Sequence, residues 1–224
     1  MSAISHNLAN LNTTAYRRED LMFEEVLRDT QNGETGEISL VQDVSSFYDL
    51  ESGPMKATGN PLDLALNGDG YFTVETEDGP RYTRDGSFNV NGDNQLVTHE
   101  GRLVLDDNGA PIEIPEDAGA IEVARDGTIS TDQGQVATLD VSTFENEQAL
   151  KRQADSLYDP GDMQPQDVEA PEVHQGMVEG SNVQGVVEMT QMMKVVKSYQ
   201  SAQKMIESDN ERQLRAIRTL VSSQ

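Results

Sequence analysis

The chain has 224 residues, a formal net charge of −24 and no cysteine. That length allows one or two domains, and a hydrophobic content of 35%, under the usual ~45–50%, favours one compact core plus an extended part. The charge argues against nucleic-acid binding, which needs a basic stripe, and the lack of cysteine removes disulfides, thiol catalysis and zinc–thiolate sites.

The acidity is uneven. From Ser181 onward six Lys/Arg face four Asp/Glu, a balance of +2, which leaves −26 on the remainder. A solvated, self-repelling surface is the plain reading of such a body. No apolar run approaches the ~18 residues of a membrane span. No basic segment followed by an apolar one opens the sequence, so a Sec-type signal is not expected.

In chain order, residues 1–30 read first as a helical stub. Ile4, Leu8 and Leu11 are spaced four and three apart, one face of a helix. The polar Asn7, Asn10 and Asn12 lead into the breaker cluster Asn12-Thr13-Thr14. Residues 17–28 read as a short amphipathic helical piece through Leu21, Phe23, Val26 and Leu27. Residues 31–52, loosened by Gly33 and Gly36, read as an extended linker with strand-like parts.

The texture changes over 53–145. Asn67-Gly68, Asp69-Gly70, Asp78-Gly79, Asp85-Gly86, Asn91-Gly92, Asn108-Gly109 and Asp126-Gly127 are pairs that supply tight-turn conformations. Short β-prone runs lie between them, at 62–66, 71–75, 82–83, 87–90, 95–98, 103–105, 112–114, 121–124, 128–130 and 136–144. The spacing predicts an antiparallel β barrel or sandwich domain. Residues 146–180 read as a connection, with a Pro-, Asp- and Gln-rich surface stretch over 158–171.

Residues 181–224 predict one long helix, with Ser181 or Asn182 as N-cap and Glu188 in an early turn. Met189, Met192, Val196, Tyr199, Gln203, Ile206, Asn210, Gln213, Ile217 and Leu220 alternate at spacings of three and four. That is the heptad seam of a coiled-coil-like helix. The polar Gln203, Asn210 and Gln213 would specify register at some cost in stability. Such a helix outruns what the rest of the chain can cover, so it needs a partner: the N-terminal stub, or other subunits. The fold class expected is mainly β with terminal helices.

Enzymatic chemistry is not expected. His6, His99 and His174 are scattered and lack the i, i+4 spacing of a helical metal site. A calcium loop begun at Asp63 fails at Ala65 and ends on Val74 in place of Glu. There is no Gly-x-Ser-x-Gly elbow and no P-loop, and Gly68-Asp69-Gly70 lacks the third glycine and the helix of a dinucleotide site. No cofactor, metal or small-molecule substrate is therefore implied. Met189, Met192, Met193 and Met205 suit an adaptable packing surface.

Four stretches together resemble one family, the axial rod and hook proteins of the bacterial flagellum. Ser5-His6-Asn7-Leu8-Ala9-Asn10-Leu11-Asn12-Thr13-Thr14-Ala15-Tyr16 is similar to its Asn-rich N-terminal signature. Thr58-Gly59-Asn60-Pro61-Leu62-Asp63-Leu64-Ala65 with Gly68-Asp69-Gly70-Tyr71-Phe72 resembles its central strand motif, continued by Arg81-Tyr82-Thr83-Arg84-Asp85-Gly86-Ser87-Phe88. Gln175-Gly176-Met177-Val178-Glu179-Gly180-Ser181-Asn182-Val183 resembles the motif that opens its C-terminal helix. The chain departs from the family at His6 and Ala15, where Asn and Gly are usual, and Met1 falls inside what is ordinarily a longer N-terminal helix.

The resemblance implies a structural subunit of the basal-body rod crossing the periplasm, most like the proximal-rod members, with the distal-rod members as the near alternative. It implies assembly with copies of itself and neighbouring rod proteins, passage through the flagellar export apparatus, and transmission of torque from motor to hook. The assembly interface expected comprises the seam residues named above together with Ile4, Leu8 and Leu11. A soluble acidic binding module is the alternative from a different class.

Overall fold

The computed structural model describes residues 1–28 and 38–222, with side chains outside 22–46 and 216–222. The chain opens with α1 (Ser2–Ala9), followed by an irregular turn through Ala15, which holds φ +53°. Strands β1 (Glu19–Arg28) and β2 (Ile38–Tyr48) pair antiparallel from Glu19–Tyr48 to Arg28–Ile38, with a bulge between Glu24 and Glu25. This corrects one expectation and sharpens another. The stretch 17–28 is a strand and not a helical piece, and 38–48, within the linker read as having strand-like parts, is the strand that pairs with it. A short apolar run does not distinguish the two periods by itself. A second strand ten residues further on decides the matter by supplying the backbone ladder.

The β region follows with β3 (Met55–Ala57), β4 (Leu64–Asn67), β5 (Tyr71–Thr76), β6 (Gly79–Thr83), β7 (Phe88–Val90) and β8 (Leu96–Thr98). Then come β9 (Glu122–Val123), β10 (Thr128–Thr131), β11 (Gly134–Thr138), β12 (Val141–Thr143), β13 (Lys151–Arg152), β14 (Leu157–Asp159), β15 (Gln166–Asp167), β16 (Glu172–Gln175) and β17 (Met177–Glu179). The largest sheet has the order β13-β14-β6-β5-β12-β15, and every ladder in the described structure is antiparallel. A three-stranded sheet, β11-β10-β9, and the pairs β7-β8, β4-β16 and β3-β17 complete it. The sheets pack as open layers and do not close into a barrel. The runs expected at 103–105 and 112–114 form isolated bridges, Val97–Leu103 and Gln95–Glu113 among them.

Residues 146–180 are less a connection than the closing strands of the β region. β14 pairs with β6, β15 with β12, β16 with β4 and β17 with β3. Leu157 and Tyr158 are buried. Composition suggested a surface stretch because Pro, Asp and Gln dominate it, and β15 is indeed an exposed edge. The pairing depends on strands far back in the chain.

Two clusters form the core. Leu64, Leu66, Phe72, Val74, Phe88, Leu96, Val104, Ile112, Ile129, Leu139 and Val141 belong to the larger one. Each large side chain buried there contributes about 1.5–3 kcal/mol. Phe72 meets Phe88 edge-on at 5.2 Å. The smaller cluster is aromatic: Tyr82 meets Phe144 at 4.7 Å, and Tyr71 meets Tyr158 at 5.3 Å.

The chain ends in α2 (Gly185–Ser222), 38 residues and therefore about 57 Å long at ~1.5 Å per residue. Its first intrahelical bonds run from Val187 N and Glu188 N to Gln184 O. Ser181 and Asn182 thus lie ahead of the helix and do not cap it; their side chains are used elsewhere.

Candidate assembly surface and its anchor

Helix α2 leaves the β region almost bare. From Met193 to Arg215 every side chain is exposed except half-buried Asp209. Tyr199 is 66% exposed, Ile206 63% and Met205 77%, and exposed apolar residues in a row at heptad spacing are the signature of a partner-covered seam. Met189, Met192, Met193, Val196, Lys197 and Gln200 line a shallow, nearly wholly apolar groove. Of the seam residues expected, Met192 alone is half-buried, whereas Met189, Val196, Tyr199, Gln203, Ile206, Asn210 and Gln213 are exposed. Ile217 and Leu220 have side chains outside the described residues. Gln203 donates to the Tyr199 hydroxyl at 3.4 Å, one turn apart along the seam.

The N-terminal stub covers only the root of α2. Leu11 packs so closely on Gly185 that a Cβ there would come within 3.0 Å of Leu11 Cδ2. Ile4, Leu8 and Leu11 are half-buried. The inward side of α1 is set by buried Ala3 and Asn7. Asn7 Oδ1 accepts from Glu19 N (2.9 Å) and from the hydroxyl of buried Tyr16 (3.3 Å), and its Nδ2 donates to Glu19 O (2.9 Å). One amide side chain thereby fixes α1 to the start of β1. Asn10 makes local bonds to His6 O and Thr13, and Asn12 is exposed.

Asn182 performs the same task at the root of α2. Its Oδ1 accepts from Arg18 N at 2.7 Å, and its Nδ2 donates to Asp49 O (3.0 Å) and Glu51 O (2.9 Å). It therefore ties both ends of the β1–β2 hairpin to the segment that enters α2. Arg18 extends the tie. Its Nε donates to Glu188 Oε1 at 2.7 Å and its Nη1 pairs with Asp20 at 2.9 Å. Burial works against that guanidinium's charge, but the Glu188 hydrogen bond and the charges of Asp20, Glu188 and Asp49 outweigh it, so its pKa is raised. Ser181 Oγ accepts from Val183 N.

The central motif residues are structural stitches. Thr58 N and Gly59 N both donate to Gly176 O, and Gly176 N donates to Asp63 O. Gly59 and Gly176 sit at φ +77° and +74°, where glycine is favoured. Asn60 Nδ2 donates to Asp63 Oδ1 and Pro61 O accepts from Gln175 Nε2. Gly70 holds φ +128°, and a Cβ there would lie 2.8 Å from Val141 Cγ1. Gly180 N donates to Pro54 O.

What sequence reasoning did not single out is a buried charge cluster beside these stitches. Glu179 is 2% exposed and pairs with Arg17 (3.0 Å) and Arg84 (3.6 Å), themselves 2% and 3% exposed at the side chain. Desolvation pulls the Arg84 guanidinium below the usual arginine range, with Glu179 opposing it. Arg84 also donates to Gly68 O at 2.5 Å and lies over the Tyr71 ring. Arg17 donates to Glu51 O. The signal available was two charges, Arg84 and Glu179, inside glycine-bearing motifs, and a third, Arg17, directly after the Asn-rich one.

Among the described residues no three His, Cys, Asp or Glu side chains converge as a metal site, and no helix is long and apolar enough to cross a membrane. A β body, stitched by backbone-seeking amides to the roots of two terminal helices and leaving one helix bare, has the build of a structural subunit and not of a catalyst.

Comparison with known proteins makes this specific. Residues 65–131 match the family model described as flagellar hook protein FlgE/F/G D1 domain. Residues 174–219 match the one described as flagellar basal body rod FlgEFG protein C-terminal. The chain is 34% identical to the flagellar basal-body rod protein FlgF of Caulobacter vibrioides, over 98% of this chain and 91% of that protein. It is 32% identical to FlgF of Rhizobium meliloti over 100% of this chain and 92% of that protein. Against the rod protein FlgG of Bacillus subtilis the identity is 30%, over 94% and 89%. The chain belongs to the FlgE/F/G family of flagellar hook and basal-body rod proteins, and within it is more similar to FlgF than to FlgG. Members of this family are structural proteins, not enzymes.

Proposed function

We propose that this chain is a structural subunit of the proximal part of the flagellar basal-body rod, built into it through its terminal helices. The observation that carries the reading is the uncovered seam of α2, exposed from Met193 to Arg215 apart from Asp209. Copies of this chain and neighbouring axial subunits would cover it. A head-to-tail contact that does not close on itself generates a helical assembly, so a helix of ~57 Å left bare along most of its length can reach subunits beyond the nearest. The interface assigned to this role is Ile4, Leu8 and Leu11 with Met189, Met192, Val196, Tyr199, Gln203, Ile206, Asn210, Gln213, Ile217 and Leu220. The polar members would set axial register, since a mismatched partner would leave amides facing apolar groups. The acidic body, −26 outside the helix, would keep unassembled subunits apart. Export through the flagellar export apparatus and transmission of torque across the periplasm belong to the same reading.

The test is complementation of a strain lacking this chain. The intact chain should restore basal bodies and swimming, and Met193→Asp should restore neither while accumulating normally. A deletion strain with a normal rotating flagellum would remove the reading.

A further inference from the structure

We infer that Glu179 is a positioning residue that sets the orientation of the terminal-helix segment relative to the β body. The inference rests on the rod reading only for its consequence in the assembly.

Glu179 is where four stretches of chain converge. Its Oε1 accepts from Gly53 N at 2.9 Å and pairs with Arg17 Nη1 at 3.0 Å. Its Oε2 faces Arg84 Nη1 at 3.6 Å. Its own carbonyl accepts from Ala15 N at 2.8 Å. Arg17 belongs to the segment leaving α1, Gly53 to the segment leaving β2, and Arg84 to the turn after β6. Glu179 itself ends β17, six residues before α2 begins. The backbones meet without room for side chains: a Cβ on Gly53 would fall 1.9 Å from Gly180 O.

The charge count makes the arrangement directional. Two buried guanidinium groups share one buried carboxylate, and Arg17 Nε and Arg84 Nε have no hydrogen-bond partner. A buried ion pair adds little net stability over a well-packed apolar replacement, but removing one partner strands a charge. Taking away the carboxylate strands two cations face to face and separates the segments they stand on. Taking away Arg84 leaves a neutral Arg17–Glu179 pair. None of the three residues belongs to the two apolar clusters of the β body, so the core should survive either change.

The chain has no cysteine, so two can be introduced cleanly for spin labels, at exposed Glu113 on the β body and exposed Lys194 on α2. Pulsed dipolar spectroscopy on the full chain, diluted with unlabelled chain, then reads the distance between them. The expected result is one narrow distance in the parent and in Arg84→Met, lost to a broad distribution in Glu179→Gln, with tyrosine fluorescence of the β body unchanged. Val104→Ala, which weakens the core without touching the cluster, should keep the narrow distance below its melting temperature. A broad distance in the parent, or a narrow one in Glu179→Gln, overturns the inference. Loss of the β-body fold in Glu179→Gln also overturns it, because it makes Glu179 a folding residue. Since the distance is read on the dilute chain, it can fail while complementation succeeds, and the reverse.

Discussion

Asn182 accepts a 2.7 Å hydrogen bond from the backbone N–H of Arg18, across 164 residues of sequence. That bond places the root of α2 against the segment leaving α1. The same side chain's other two bonds, to Asp49 O and Glu51 O, hold the segment leaving β2, which runs beside Arg18 at the open end of the β1–β2 hairpin. One amide thus closes three segments on each other. An amide suits the place because it offers an acceptor and two donors on one planar group.

Asn182→Ala should therefore cost about 1.5–4.5 kcal/mol, three hydrogen bonds at roughly 0.5–1.5 kcal/mol each. Asn182→Asp should cost at least as much, since it keeps the acceptor but replaces the donor nitrogen with an oxygen facing two carbonyls. The urea midpoint of unfolding checks both. A midpoint unmoved in either variant would mean that the junction is held by its other contacts.

Glycine substitutions separate close approach from simple freedom. Gly53→Ala drives a Cβ into Gly180 O at 1.9 Å, and the crossing backbones must move apart. It should fall in the exceptional class of losses above ~4 kcal/mol. At Gly92 nothing lies within 4 Å and φ is not positive. Gly92→Ala should be neutral, or stabilising by about 0.4–1 kcal/mol through the unfolded chain. Thermal melts of the two variants side by side make the comparison.

Assembly and folding should come apart on α2. Met193 is 56% exposed in the groove with Met189 and Val196. Met193→Asp should leave the stability of the dilute chain within the roughly ±0.5 kcal/mol usual for surface positions. It should nonetheless abolish concentration-dependent association in sedimentation velocity, because a charge in the groove beside seam residues Met189 and Val196 must be desolvated on pairing. Association that persists unchanged would place the contact on another face.

Asp140 gives a pH dependence of definite sign. Burial raises its pKa, the nearby Thr73 hydroxyl and a hydrogen bond from Ser142 (3.3 Å) oppose the rise, and the charges of Asp167 and Asp107 add to it. A carboxyl raised on folding binds its proton more tightly in the folded state, so its ionisation opposes folding at neutral pH. That penalty is relieved as pH falls through the raised folded value and is gone below the ordinary carboxylate value. Asp140→Asn should thus raise stability at neutral pH and leave it unchanged in acid. Urea titrations at the two pH values decide it; equal effects at both would mean the charge is not the cause.

Much of the architecture was legible because its signals are local. Asn-Gly and Asp-Gly pairs mark turns wherever they occur, and eight of the expected runs reappear within strands of the β region. The 136–144 run divides at Leu139, which bridges to Asp106. The apolar period of α2 is likewise a property of consecutive residues. The motif glycines and asparagines were recognisable as a set, but their work was not. Asn182 looked like a helix cap, because a cap and a long-range clamp use the same amide. Residues 17–28 looked helical and 146–180 looked like a connection, because a strand's partner is invisible from inside the strand.

The buried cluster of Arg17, Arg84 and Glu179 shows the limit most plainly. The three lie 67 and 95 residues apart in sequence order, each inside a charged chain where one more Arg or Glu attracts no notice. By itself the sequence determined a mainly β body with turn-rich strands, a long seamed helix without a partner of its own length, and membership of a flagellar axial family. Only the tertiary structure decided how body and helix are joined. Burial converts ordinary surface charges into an anchor, and burial is a property of what surrounds a residue in space.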